Sequence, residues 1–233
     1  MQPIQIEYRF ALPGQAPTRF LLEFDAATMA PLTPLREPAP FWAKLDFHRC
    51  PHCPLSVEET PDCPAAARLA DLLEWCSALL SHQSLHLTVV TPERTTLAET
   101  TAQRAVSSLM GLIMATSGCP HSEFLRPMAR FHLPLSNESE TIYRAASMYL
   151  LAQYFVERRG RPADLELQGL QEHYAALHRV NLALCERMRA AVTADSSVNA
   201  VIVLDCFAKA LPATIDDALS ELEPLFHSYC DAR

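Results

Sequence analysis

Glycine is scarce in this chain, with only five residues among 233. Loops that bind phosphate through backbone N–H groups are rich in glycine. Five glycines are too few to form such a loop in this chain. No apolar run reaches the eighteen or so residues that a membrane-spanning helix needs. The first residues, MQPIQIEYRF, also lack the basic and apolar regions of a secretory signal. These absences favour a soluble, cytoplasmic protein without a membrane partner.

An excess of basic residues is also missing. Nineteen Lys and Arg residues are scattered among 27 Asp and Glu residues, and the formal net charge is −8. A protein that neutralises nucleic-acid phosphates presents clustered positive charge. We therefore expect no nucleic-acid partner, whereas a protein or small-molecule partner and the oligomeric state stay open.

The chain begins with patterns typical of β-structure. The segments IQIEYRFAL and TRFLLEFDA alternate polar and apolar residues around a turn, which predicts an antiparallel hairpin. A third strand is predicted over residues 41–48, a helix over residues 64–81 and a further strand at LHLTVV. Between the third strand and the helix, proline is too dense for regular structure.

The second part of the chain is predicted to be helical. Five segments follow helical periodicity, and Gly118 and Gly160 stand where helix C-caps belong. These segments are AQRAVSSLMGLIMATSG, SETIYRAASMYLLAQYFVERRG, DLELQGLQEHYAALHRVNLALCERMRAAV, SSVNAVIVLDCFAKAL and TIDDALSELEPLFHSY. We predict one α+β domain over residues 1–233, with a small antiparallel sheet and the cysteine loop in residues 1–98 and a larger helical bundle in residues 99–233.

Four of the eight cysteines are followed directly by proline: Cys50, Cys53, Cys63 and Cys119. In a reducing compartment, closely spaced cysteines indicate metal binding or redox chemistry rather than structural disulfides. Proline is favoured at the first position of a helix, which would place Cys63 and Cys119 at N-caps. The positive end of a helix lowers a thiol pKa, so this pattern predicts thiolates.

The spacing of these cysteines predicts a shared four-sulfur centre. Cys50 and Cys53 form a C-x-x-C pair, Cys63 follows on the same loop, and Cys119 is the remote fourth ligand. Structural zinc sites usually contain two C-x-x-C pairs, whereas three local cysteines and a remote Cys-Pro are typical of some iron–sulfur ligand sets. We therefore expect an iron–sulfur cluster used in electron transfer or redox sensing. A structural zinc site in a protein-interaction module is the alternative.

Such a centre is anionic and requires hydrogen-bond donors or positive charges beside it. Five residues stand near the cysteines in sequence and can supply them, and His121 or His48 can also replace a cysteine as ligand. The five are His48, His52, His121, Arg126 and Arg130.

Two other interpretations of the cysteines stay open. The tetrapeptide CPHC looks like the active site of the DsbA branch of thiol–disulfide oxidoreductases. Pro54, Pro61 and Pro64 interrupt the helix that a thioredoxin fold needs after the second cysteine. The cysteines without a following proline are better explained as small core residues, and haem binding through Cys-Pro is a weaker alternative. His132 is a candidate base, although a histidine between apolar neighbours is more often a hydrogen-bonded core residue.

Several strings together resemble an uncharacterised bacterial family that is classed as a domain of unknown function. They are HRCPHCPL, CPAA, SSLMGLIMATSGCPH, RPMARFHLP, ETIYRAASMYLLAQYF and SSVNAVIVLDCFAKAL, in that order. The resemblance covers most of the chain and implies a bacterial origin. It implies no activity, cofactor or site residue.

Overall fold

A computed structural model describes residues 2–77, 79–191, 215 and 219–230. The described residues form an α+β fold, as predicted. The strands are β1 (Ile4–Ala11), β2 (Thr18–Phe24), β3 (Ser84–Val90) and β4 (Thr95–Thr101), and the α-helices are α1 (Pro64–Arg68), α2 (Ala70–Cys76), α3 (Ala102–Thr116), α4 (Arg126–Arg130), α5 (Glu138–Glu157), α6 (Gln168–Ala191) and α7 (His227–Cys230). Short 3₁₀-helices cover Phe41–Ala43, Glu123–Leu125 and Glu223–Phe226.

The four strands make one antiparallel sheet in the order β2-β1-β3-β4. On β1, Ile6, Tyr8 and Phe10 are buried on one face, because side chains alternate between the two faces of a strand. The predicted hairpin and the predicted strand LHLTVV are confirmed as β1, β2 and β3. The edge strand β4 was not predicted because its sequence, TTLAETT, is largely polar and buries little apolar surface.

The predicted strand over residues 41–48 is wrong. This segment forms a 3₁₀-helix, Phe41–Ala43, and then turns, and its only strand-like pairing is an isolated bridge between Lys44 and Asp62. Trp42, Ala43 and Leu45 are all buried. In a strand, adjacent side chains such as those of Trp42 and Ala43 would point to opposite faces. A 3₁₀-helical turn instead allows both to pack against the core.

The helix predicted over residues 64–81 is shorter than expected and is divided. It forms α1 and α2, with Leu69 between them, and ends at Cys76. The N–H group of Leu69 is shared between the carbonyls of Ala65 and Ala66, which tightens the backbone at the junction.

Three predicted helices of the second part are confirmed as α3, α5 and α6. Gly118 and Gly160 follow α3 and α5 and have φ angles of 91° and 74°. This left-handed conformation is strained for residues that have a side chain, which explains the glycines. The predicted helix SSVNAVIVLDCFAKAL lies outside the described residues. Of TIDDALSELEPLFHSY, the described end contains Glu223–Phe226 and the start of α7.

The sheet and the helices share a buried core that includes side chains of β1, β3, α1 to α3, α5 and α6. Tyr8 connects the two layers, because its hydroxyl lies 2.8 Å from Ser108 Oγ of α3 and 2.5 Å from His132 Nε2. His132 is thus hydrogen-bonded to the core. Within the described ranges, no helix is long and apolar enough to cross a bilayer.

Candidate metal centre

The cysteine loop, residues 49–63, is closed at its base by contacts with the segment before it. The Leu45 N–H donates to the Pro61 carbonyl at 2.9 Å, and the Cys63 N–H donates to the Ala43 carbonyl at 2.7 Å. An ion pair of 2.9 Å joins Lys44 Nζ to Asp62 Oδ1 between these two bonds. Cys63 therefore returns to the segment that leads into Cys50.

The C-x-x-C pair forms a tight turn inside this loop. The Cys53 N–H donates to the Cys50 carbonyl at 3.1 Å, and the Arg49 guanidinium donates to the carbonyls of Cys53 and Leu55. Both thiols are half-buried. The turn thus holds the two cysteines of one short segment together, and Cys50 packs against the core.

The remote Cys119 lies after α3 and is joined to the C-x-x-C turn through its neighbour His121. The Nε2–H of His121 donates to the His52 carbonyl at 3.0 Å, and the two imidazole rings are in contact, tilted by 34° with centroids 4.0 Å apart. Cys119 itself is buried. The structure therefore brings the fourth cysteine, from the helical half of the chain, against the loop that carries the other three.

Electrostatic effects among the thiols also reflect their proximity. Burial raises the pKa of Cys50 to about 12, and Cys63, Cys119 and Cys53 raise this pKa in the same direction. Burial raises the pKa of Cys119 as well, and Cys63 and Cys53 add to that rise. The backbone N–H of His121 lowers the Cys119 pKa because it hydrogen-bonds the sulfur.

The prediction that helix N-termini lower the thiol pKa is wrong for Cys119. Its carbonyl begins a turn by accepting from the Ser122 N–H at 3.0 Å, and the next 3₁₀-helix starts only at Glu123. Burial therefore dominates its pKa. Cys63 is the N-cap of α1 with Pro64 at the first helical position, as predicted, but its side chain makes no capping hydrogen bond.

The thiols converge without a ready-made position for one ion. In the part of the chain that the structure describes, no group of three or more His, Cys, Asp or Glu side chains is arranged to hold a metal ion. None of the seven described cysteines forms a disulfide. The thiols are nevertheless near enough to raise one another's pKa.

The family model for a domain of unknown function, DUF6901, matches residues 6–227 of the chain. The chain belongs to the DUF6901 family. No curated protein and no solved structure matches it significantly. The matched region includes the cysteine loop and Cys119, yet the family assigns no role to them.

His52 presents an unpaired nitrogen beside the thiols of this DUF6901 chain. Its Nε2–H donates to the Ala176 carbonyl of α6 at 3.1 Å, whereas Nδ1 is buried and has no hydrogen-bond partner. Burial, followed by the charges of His121 and Arg179, lowers the pKa of His52. The ring is consequently neutral, and the lone pair of Nδ1 can accept a hydrogen bond or bind a metal.

Three of the residues that the sequence nominated as supporting groups have partners elsewhere. His48 is exposed and packs edge-on against Phe47. Arg126 pairs with Glu123 at 2.7 Å, and Arg130 pairs with Glu93 at 3.3 Å. Of the nominated residues, the structure brings His52 and His121 to the thiols.

Arg187 of α6 is a supporting residue that sequence reasoning missed. Its side chain is buried and donates to the carbonyls of Trp42 and Lys44 at 2.7 Å and to that of Leu45 at 3.1 Å. Its positive charge lowers the pKa of Cys50. The sequence feature that could have identified Arg187 is its position three residues after Leu184, which places it on the apolar face of α6.

Proposed function

We propose that this protein is a cytoplasmic metal-binding protein whose centre is held by Cys50, Cys53, Cys63 and Cys119, with an iron–sulfur cluster used in electron transfer or redox sensing. The convergence of these cysteines from separate parts of the chain supports the proposal. The hydrogen bond from His121 to the His52 carbonyl is the contact that joins them. Thiolates are the usual protein ligands of iron–sulfur clusters.

Surrounding residues fit an anionic centre. The His121 N–H hydrogen-bonds the Cys119 sulfur, and the buried guanidinium of Arg187 acts on Cys50. Hydrogen bonds to sulfur and nearby charges set the reduction potential of a cluster. The cluster would supply one-electron chemistry, while these residues would hold the sulfurs and stabilise their negative charge.

We favour a cluster over a single zinc ion. Zinc needs four ligands that meet at one point, with sulfurs about 2.3 Å from the ion. A cluster places several iron and sulfide atoms between its cysteines and therefore accepts sulfurs that lie further apart. Our preference for a cluster rests on the sequence, in which three local cysteines and a remote Cys-Pro are typical of some iron–sulfur ligand sets. Zinc would make a closed structural site, and function would then lie on a protein-binding surface.

The CPHC tetrapeptide is less well suited to thiol–disulfide exchange. That chemistry needs a nucleophilic cysteine with a low pKa, commonly at the start of a helix. Here the pKa of Cys50 is raised to about 12. Cys53 is followed by Pro54 and an irregular segment rather than by a helix.

Anaerobic purification followed by iron, sulfide and zinc analysis tests the proposal. The wild-type protein is expected to be brown, with stoichiometric iron and sulfide. Cys63→Ala should lose most of the visible absorbance because it removes one thiolate ligand. Cys230→Ala changes an exposed cysteine on α7 and serves as the matched control, which should keep its colour.

Each alternative gives a different result. A colourless protein with one zinc per chain supports the structural zinc site and contradicts the redox role. A folded protein that binds neither iron nor zinc, before or after anaerobic reconstitution, contradicts the metal centre altogether.

A further inference from the structure

A cavity of about 250 Å³ lies among α3, α4, α5 and α6. None of the four proline-flanked cysteines lines it, so it is separate from the candidate metal centre. Its wall is largely apolar and includes Leu112, Met114, Leu125, Met128, Leu133 and Leu177.

Asn181 of α6 gives this apolar cavity an unpaired polar group. Its side chain is 1% exposed and lines the cavity, and neither Oδ1 nor Nδ2 has a hydrogen-bond partner. A buried amide without partners destabilises a protein, so such groups usually bind water or a ligand. Asn181 therefore requires an occupant that both accepts and donates a hydrogen bond.

The charged side chains that line the cavity are both positive. Arg104 and Arg144 line it, and no carboxylate is among the described lining residues. Arg144 is held in place because its Nη2 donates to the carbonyls of Met128 and Phe131, both at 2.9 Å. Arg104 and Asn137 are exposed, so the cavity reaches solvent beside them. A negative ligand can therefore enter beside Arg104 and meet positive charge, since the carboxylate that acts on Arg144, Glu140, is not among the lining residues.

From these observations we infer that the cavity binds a small carboxylate with an apolar body and a hydroxyl or N–H donor, such as a medium-chain hydroxy fatty acid. The apolar wall takes the hydrocarbon part, and the arginines attract the carboxylate. The Asn181 amide pairs with the remaining donor and acceptor. This site is independent of the metal centre and would persist if that proposal failed.

Calorimetric titration of the wild-type protein with three probes tests the inference. The probes are 3-hydroxyoctanoate, octanoate, which lacks the hydroxyl, and 1,3-octanediol, which lacks the charge. We expect 3-hydroxyoctanoate to bind about tenfold more tightly than either of the others, since each lacks one of the two polar contacts. If the diol binds as tightly as the hydroxy acid, the carboxylate assignment is wrong. If no probe binds, the site is wrong.

Variants separate the roles of the side chains. Asn181→Leu should weaken 3-hydroxyoctanoate binding about tenfold and abolish its advantage over octanoate. Arg104→Gln, at the exposed edge, should weaken both carboxylates and leave the diol unchanged, and it keeps the test valid if Asn181→Leu does not fold. Leu182→Gln changes the exposed neighbour of Asn181 and is the control. Unchanged binding in both Asn181→Leu and Arg104→Gln would overturn the inference.

Discussion

Replacement of Arg187 by methionine is expected to lower the free energy of unfolding by about 3–5 kcal/mol. Arg187 is buried and donates to the carbonyls of Trp42, Lys44 and Leu45. Methionine fills similar space but donates nothing, so three carbonyls lose their charged donor. Chemical denaturation monitored by circular dichroism measures the loss.

Arg189→Met provides the matched control for Arg187→Met. Arg189 lies on the same helix but is exposed and paired with Glu186, and we expect a change within about 0.5 kcal/mol. Arg187→Lys keeps the charge without the forked donor geometry and should fall between the two variants. If Arg187→Met unfolds at the wild-type denaturant concentration, the carbonyl contacts do not stabilise the fold.

We expect the same substitution to weaken metal binding at the candidate centre. Arg187 holds residues 42–45, which contact the C-terminal end of the cysteine loop at Pro61 and Cys63, and its charge acts on Cys50. A loss of bound metal from Arg187→Met under conditions where the protein is still folded would connect the anchor to the centre. Retained metal at wild-type stoichiometry would limit the role of Arg187 to stability.

Acidification is expected to destabilise the protein through His132. Burial, assisted by the positive charge of Arg144, lowers the pKa of His132 from 6.5 to about 3. Between these two values the unfolded chain binds a proton that the folded protein excludes. The stability contributed by neutral His132 is thus complete above pH 6.5 and is lost as the pH falls toward 3, by up to about 1.4 kcal/mol per pH unit.

His132→Gln isolates this effect from other acid-sensitive groups. Glutamine can accept the hydrogen bond of Tyr8 but does not titrate. Relative to the wild type, the variant should gain about 2 kcal/mol in unfolding free energy between pH 7.5 and pH 5. His82→Gln, which replaces a histidine at an exposed turn position, is the matched control. Parallel pH profiles of His132→Gln and wild type would contradict the prediction.

The regular elements with strong periodicity were predictable from sequence. The hairpin β1–β2 alternates buried and exposed residues, and α3 and α6 carry apolar residues at helical spacing. The predicted strand at residues 41–48 failed because its apolar residues serve a turn that packs on the core. Strand β4 was missed because its pairing with β3, rather than its own composition, stabilises it.

The candidate centre was predictable only in part. Proline after cysteine identified the four thiols, and the C-x-x-C spacing implied a local turn. The supporting residues could not be identified from sequence, because their identity depends on distances between segments that are remote in the chain. Arg126 and Arg130 are near Cys119 in sequence, whereas Arg187 is remote from all four cysteines. Of these three arginines, however, only Arg187 lowers the pKa of Cys50.

The amino-acid sequence by itself determined the α+β class, the start of α1 at Pro64 and the C-x-x-C turn, because these depend on side-chain periodicity and on local backbone sterics. The tertiary structure decided that Cys119 meets the cysteine loop, that Arg187 is buried beneath it and that the Asn181 amide faces a cavity without a partner. Such features depend on how distant segments pack, since burial and long-range hydrogen bonds are properties of the whole fold.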